Sequence, residues 1–297
     1  MAKAEGKITI TFRGVRGSYP VPGPSTVRYG GNTSCQEVRV GGRLLIFDAG
    51  TGIISLGQDM MKADSDRTFA LFFSHNHHDH TGGILYFRPA YSPNTIMHIF
   101  GPEEEPGTIM DTLERLSTPA AHPVQFARMG MKYTCTVIGD GDIVCWRPGD
   151  DSPVLVRSGT ELTPDDVVVR VLRNRKHPLG GVLNFRVEYR EKSYVYATDV
   201  EGDEEKGDPV LAEFARDADL LAHDGQYTSE EYPARRGWGH STIAMAIQTA
   251  EMANARQLAI IHHEPTYDDA KLDAMEKKAK TLFPAVFFAH EGQTIEL

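Results

Sequence analysis

Residues 74–83 read Ser74-His75-Asn76-His77-His78-Asp79-His80-Thr81-Gly82-Gly83. Four histidines and one aspartate fall within six residues. The stretch before them, Thr68–Phe73, is a continuous apolar run, the pattern of a strand buried on both faces. Alternate side chains of an extended chain share a face, so His75 and His77 point to one side. Asp79 and His80 come where the chain turns into a helix and aim at a neighbouring point. A lone histidine is ordinarily a surface residue or a hydrogen-bonded core residue. A set this crowded would repel on protonation and meets no packing need. Imidazole and carboxylate together suit zinc and other first-row metals. Two adjacent metal sites need more ligands than this loop supplies, so partners are sought downstream.

Working outward, the segments Lys7–Phe12, Glu37–Val40 and Arg43–Phe47 read as strands, rich in β-branched residues and separated by glycine. Gly14–Tyr29 is loop-like and Thr51–Met61 helical. Beyond the histidines, His98–Phe100 reads as a strand and Gly107–Leu116 as a helix. Met131–Cys145 reads as a hairpin turning at Gly139-Asp140-Gly141. Strands return at Val167–Leu172, Val182–Tyr189, Ser193–Ala197 and Leu258–Ile261. Helices are expected at Thr242–Met252, capped by Ser241, and at Tyr267–Ala279. Strands followed by alternating helices and strands, in two halves, predict an α/β sandwich with helices on its outer faces.

The bulk numbers fit this picture. The chain has 297 residues, 40% hydrophobic and 24% charged, as for an ordinary globular protein with a sizeable core. Acidic residues outnumber basic ones, 41 to 31, which disfavours a non-specific grip on a long nucleic acid. The first residues carry no signal-peptide pattern, and no window approaches the roughly 20 apolar residues of a membrane span. A cytoplasmic protein without membrane contact is the expectation. Cys35, Cys135 and Cys145 are odd in number and lack C-x-x-C spacing, so neither a disulfide framework nor a thiolate metal site is predicted.

The pattern H-x-H-x-D-H after an apolar strand resembles the signature of the metallo-β-lactamase superfamily, matched here by His75, His77, Asp79 and His80. Phe47-Asp48-Ala49-Gly50-Thr51-Gly52 resembles its first motif, whose aspartate braces the histidine loop. His177 stands where the third motif places a ligand. Tyr196-Ala197-Thr198-Asp199 resembles the fourth, with a carboxylate that bridges two metals. Leu258-Ala259-Ile260-Ile261-His262 resembles the last, a strand ending in a ligand histidine, with His263 the reserve. The resemblance implies a single domain of four αββα layers, two central sheets flanked by helices. It implies two divalent ions, zinc first and manganese or iron also accommodated, held by His75, His77, Asp79, His80, His177, Asp199 and His262. Residues 89–162 lengthen the usual interval between motifs and are expected to cover the pocket.

Gly239-His240-Ser241-Thr242 resembles a motif of the superfamily's phosphodiesterase branch, which includes transfer-RNA 3′-processing endonucleases and the cyclic phosphodiesterase of phosphonate breakdown. There the histidine donates a proton to the leaving oxygen. Leu221-Ala222-His223-Asp224 is similar to the neighbouring H-E box, with aspartate for glutamate. The resemblance therefore implies Asp79, His240 and Asp224 as catalytic residues. It implies a phosphodiesterase that cleaves a small or nucleotide-like phosphodiester by a metal-activated hydroxide. The alternatives are a transfer-RNA 3′-processing endoribonuclease, a lactonase or other ester hydrolase, and, last, a non-catalytic ligand-binding module. A small anionic substrate is the expected partner; nucleic acid is not favoured, and a homodimer is allowed. The Gly-rich loops 13–18 and 30–35 read as ordinary turns at the pocket edge, without the spacing of a P-loop.

Overall fold

The computed structural model describes residues 6–62, 67–104, 107–157, 159–178 and 180–297. In the first half the strands are β1 (Ile8–Gly14), β2 (Cys35–Val40), β3 (Arg43–Phe47), β4 (Thr68–Phe72), β5 (Ile96–Gly101), the short pair β6 (Glu103–Glu104) and β7 (Gly107–Thr108), and β8 (Lys132–Val137). The second half adds β9 (Ile143–Trp146), β10 (Val154–Val156), β11 (Val167–Asn174), β12 (Val182–Tyr189), β13 (Lys192–Ala197), β14 (Leu220–Asp224), β15 (Leu258–Ile261), β16 (Val286–Phe288) and β17 (Thr294–Glu296). The helices are α1 (Ile53–Lys62), α2 (His78–Thr81), α3 (Ile109–Leu116), α4 (Pro209–Phe214), α5 (Ile243–Met252) and α6 (Asp269–Leu282).

Two mixed sheets result, ordered β17-β1-β2-β3-β4-β5-β8 and β10-β9-β11-β12-β13-β14-β15-β16. Each is antiparallel on one side and parallel on the other. Strands β3, β4, β5 and β8 run parallel in the first sheet, and β13, β14, β15 and β16 in the second.

The apolar run of β4 explains its place. Ala70 and Phe72 enter the core between the sheets, while Phe69 and Leu71 enter a second core shared with Ile53 and Leu56 of α1 and Leu113 of α3. β15 divides likewise: Ala259 and Ile261 face the other sheet, Leu258 and Ile260 the core under α4 to α6. Period-two alternation thus serves two interiors at once. The inter-sheet core centres on stacked rings, with Phe72 centroids 5.2 Å from Phe47 and 4.8 Å from Phe100. Helix, sheet, sheet, helix is the four-layer α/β sandwich predicted.

Two local expectations are corrected. Residues 131–145 do not form a hairpin: β8 pairs with β5 in the first sheet and β9 with β11 in the second. The turn chemistry is present, with the Gly139 N–H donating to the Asp142 carboxylate at 2.7 Å. It carries the chain between sheets, because the Gly141 N–H and the Asp140 carboxylate bind β11 instead, at Val171 O and Arg173 N. The cap of α5 is Thr242, whose hydroxyl accepts from Met245 N. The Ser241 hydroxyl instead donates to Val200 O at 2.6 Å and accepts from Gly202 N, which ties the α5 entrance to the loop after β13.

The loop after β3 packs directly beneath the histidine loop. A Cβ on Gly50 would lie 2.2 Å from Asp79 O and 2.5 Å from Thr33 Oγ1, so only glycine permits this backbone approach. Gly50→Ala is expected to destabilise the fold by roughly 1–3 kcal/mol or more, the usual scale of overpacking. A thermal melt checks it; an unchanged Tm would show that the loop has room.

Candidate metal centre and active site

Most of the predicted residues lie at the carboxyl ends of parallel strands, where open α/β sheets place their ligands; His177 follows the antiparallel β11 and His240 precedes α5. Asp48 follows β3, the histidine loop follows β4, Asp199 follows β13, Asp224 ends β14 and His262 follows β15. Asp48, Asp199 and His262 take left-handed backbone conformations, with φ of 62°, 52° and 59°. That region is uncommon outside glycine, less so for aspartate and histidine, and such residues cluster at functional sites.

The seven candidate ligands converge. One atom each from His75, His77, His177 and Asp199 falls within 4.8 Å of the others, and so do atoms of Asp79, His80 and His262. Asp199 stands between the groups: its carboxylate lies 3.6 Å from His75 Nε2, 3.1 Å from His80 Nε2 and 3.3 Å from His262 Nε2. The Nε2 atoms of His75 and His80 are buried and make no hydrogen bond of acceptable geometry. Buried groups so placed are costly unless something else binds them. Nitrogen and carboxylate oxygen at this spacing are the donors that divalent ions take, so the set fits the implied metals.

Protonation divides the ligand histidines into two groups. Burial, with neighbouring imidazoles adding to it, holds His75 well below the ordinary histidine range. Burial lowers His77 and His177 too, so these three present the neutral rings that metal binding needs. Burial opposes charge on His80 and His262, but carboxylates overrule it, led by Asp199 in both; His80 is raised well above the ordinary range and His262 to about 9.

A surrounding shell fixes the rings. Asp48 Oδ2 contacts His80 Nδ1 at 2.7 Å, and the Asp48 carboxylate accepts from Ser74 N, Ser74 Oγ and Tyr196 OH, each at 2.8 Å. His177 Nδ1 lies 3.1 Å from Gly239 O, and His262 Nδ1 lies 3.1 Å from Gln226 Oε1. In each case Nε2 is left for the cluster. The Ser18 N–H donates to Asp79 Oδ2 at 2.7 Å, which gives the loop 13–18 a holding role. Gln226 escaped the sequence reading, its nearest signal being its closeness to Asp224; Ser18 was named there only as part of the loop 13–18 at the pocket edge. His263 turns away, its Nε2 donating to Ala289 O at 2.8 Å, which leaves His262 as the one in the cluster.

His240 sits at the edge of the cluster, its ring stacked on His262 with centroids 4.8 Å apart. Its Nδ1 lies 2.7 Å from Asp224 Oδ2. The shorter aspartate therefore reaches. Asp224 is itself held by N–H donors from Gln226 and Ser241. His223 faces elsewhere, with Nδ1 at 2.6 Å from Asp224 O, and His78 is exposed.

A cleft of about 610 Å³ opens beside His240. Its walls come from Ser18-Tyr19, Pro178, six residues between Gln226 and His240, and Glu264-Pro265. Among the described residues, none in 89–162 lines it. That span supplies β5, β8, β9 and β10 to the two sheets, and a covering role for the rest of it stays an expectation.

This architecture, with a His/Asp cluster at the strand ends, defines a hydrolase of the metallo-β-lactamase fold. A family profile described as "Beta-lactamase superfamily domain" matches residues 43–263, and the chain belongs to that superfamily. Among curated proteins it is similar to Ribonuclease Z of Halobacterium salinarum, 27% identical over 98% of this chain and 97% of that one. Among solved structures it is similar to human tRNase Z, short form, with TM-score 0.63, 20% identity and coverage of 97% and 98%. A diphosphatase from the PhnP family superposes with TM-score 0.66 and 15% identity, covering 98% of this chain and 97% of that one. Among the described residues no helix is long and apolar enough to cross a membrane.

Proposed function

We propose that this chain is a two-metal phosphodiesterase acting on a small or nucleotide-like phosphodiester. The observation that carries the reading is the 2.7 Å contact between His240 Nδ1 and Asp224 Oδ2 at the edge of the ligand cluster. His75, His77 and His177 would hold one ion, Asp79, His80 and His262 the other, with Asp199 shared. Bound there, divalent ions activate water at neutral pH and take up charge on the phosphoryl oxygens. The protein's own part is orientation and proton supply. Asp224 orients the His240 ring through Nδ1, and Nε2 faces the leaving oxygen to give up the proton that the alkoxide gains as its O–H bond forms. His240 also lies within ligand reach of Asp199 and His262, so its test must separate donor from ligand. The separation is by leaving group: loss of His240 should spare a nitrophenyl ester and cripple an alkyl one.

The transfer-RNA endoribonuclease is the second reading, favoured by relatives named Ribonuclease Z that align along nearly the whole chain. Turnover of precursor transfer RNA well above that of bis-p-nitrophenyl phosphate and cyclic nucleotides would make it the first.

The Asp48 network gives a graded test of the metal assignment. Asp48→Ala is expected to weaken metal affinity by about 10–100-fold, the usual effect of removing a group that orients a ligand histidine. Competition with a chromophoric chelator measures it. Unaltered affinity would mean that His80 needs no brace.

A further inference from the structure

One wall of the cleft is not used by proton transfer. Trp238, two residues before His240, lines it and is 59% exposed, whereas Trp146, the chain's other tryptophan, is buried in the inter-sheet core. An exposed indole at the mouth of a polar site presents a large flat apolar face. Arg235 lines the same wall. Its guanidinium sits over the Tyr227 ring, 5.0 Å from the centroid, and reaches Glu231 O at 3.4 Å. Neighbouring charges are already matched: Arg236 pairs with Glu204, and the Glu231 carboxylate receives Lys271 at 2.9 Å and the Tyr267 hydroxyl. Arg235 has no salt bridge to a described carboxylate. Tyr227 sets its ring edge-on to His240, with centroids 5.9 Å apart, so Arg235, Tyr227 and His240 form a packed row. The Glu264 carboxylate, elsewhere on the cleft, accepts from Gln226 Nε2 and Thr266 Oγ1, which leaves Arg235 as the side suited to an anion.

We infer that this wall binds the leaving group, and that the leaving group is a nucleotide: an aromatic base against Trp238 and an additional phosphate at Arg235. The inference rests on His240 as donor to the leaving oxygen, since what the cleft holds beyond His240 is then the departing half of the substrate. A volume of about 610 Å³ suits a group of that size. Base on indole is a sequence-tolerant stack, and phosphate on guanidinium is a charge-assisted, geometrically matched pair.

Binding to the metal-loaded protein tests this without turnover. The probes are ribose 5-phosphate, adenosine monophosphate and adenosine 3′,5′-bisphosphate, with affinities measured by calorimetry in every variant and by Trp238 fluorescence where the indole is present. The base should add about tenfold in affinity and quench the emission, and the second phosphate should add about tenfold more. W238A should lose the first gain and keep the second. R235A should do the reverse, with R235K keeping part of it. Ribose 5-phosphate binding as tightly as adenosine monophosphate would overturn the base site, and a bisphosphate no tighter than the monophosphate would overturn the role of Arg235. A trinucleotide ending in adenosine separates the two sources of such a group: tighter binding than the bisphosphate assigns it to an RNA end, equal binding to a free nucleotide, and both support the subsite. None of these affinities depends on His240, so failure of the proton-donor reading would show separately, in the kinetics of His240→Ala.

Discussion

Replacing His240 with alanine is expected to leave metal content unchanged and to lower turnover by about 10²–10⁴-fold on a substrate with a poor alkoxide leaving group. Asp224 already holds the imidazole by Nδ1, so removing the ring removes a positioned donor and not a structural support. A nitrophenolate departs without protonation, and a nitrophenyl ester should lose little. A metal ligand would behave otherwise: its loss would empty a site and damage both substrates alike. A packing residue would lower Tm and leave turnover per folded molecule intact. Kinetics on both substrates, with elemental analysis of the same preparations, discriminate among the three. Equal losses on the two substrates at full metal content would remove the proton-donor role.

The larger effect is expected at Asp199. Gently purified protein should hold close to two divalent ions per chain, given two converging ligand groups joined by this carboxylate. Asp199 lies within 4.0 Å of His75, His80, His177 and His262. Its own carboxyl is held well below the usual carboxylate range: burial opposes ionisation, but His262, His80 and His75 outweigh it. Asp199→Ala should therefore lower the metal content and cut turnover by more than about 10³-fold, irrespective of leaving group, since charge stabilisation and water activation fail together. A chelator should do the same to the wild type, reversibly. Wild-type protein that persistently holds one ion at saturating metal would sink the two-metal mechanism, and an Asp199→Ala variant with near-normal turnover would remove the bridge.

Much of this was legible before any coordinates. Continuous apolar runs marked β4 and β15 because a strand buried on both faces has no polar side to show. Three strand assignments matched the observed residues at both ends, Arg43–Phe47, Val182–Tyr189 and Leu258–Ile261. The ligand candidates were legible because His and Asp at strand ends are chemically conspicuous and share a short loop. β14 and α4 were missed. Leu220–Asp224 drew attention for its histidine and aspartate, which hid five buried positions of a strand.

What the sequence determined by itself was the class of fold and the set of candidate donors, since both follow from local pattern: which residues are apolar, at what period, and which carry nitrogen or oxygen donors beside them. Tertiary structure alone decided the rest. It sent β8 and β9 to different sheets, because strand pairing is settled by partners far along the chain and not by the turn between them. It selected His262 over His263, because a left-handed residue at the end of β15 aims one ring into the cluster and the next at Ala289 O. It brought Asp224 within 2.7 Å of His240 across sixteen residues of chain, a distance that no spacing in the sequence encodes, because it depends on how the α5 entrance packs against the end of β14.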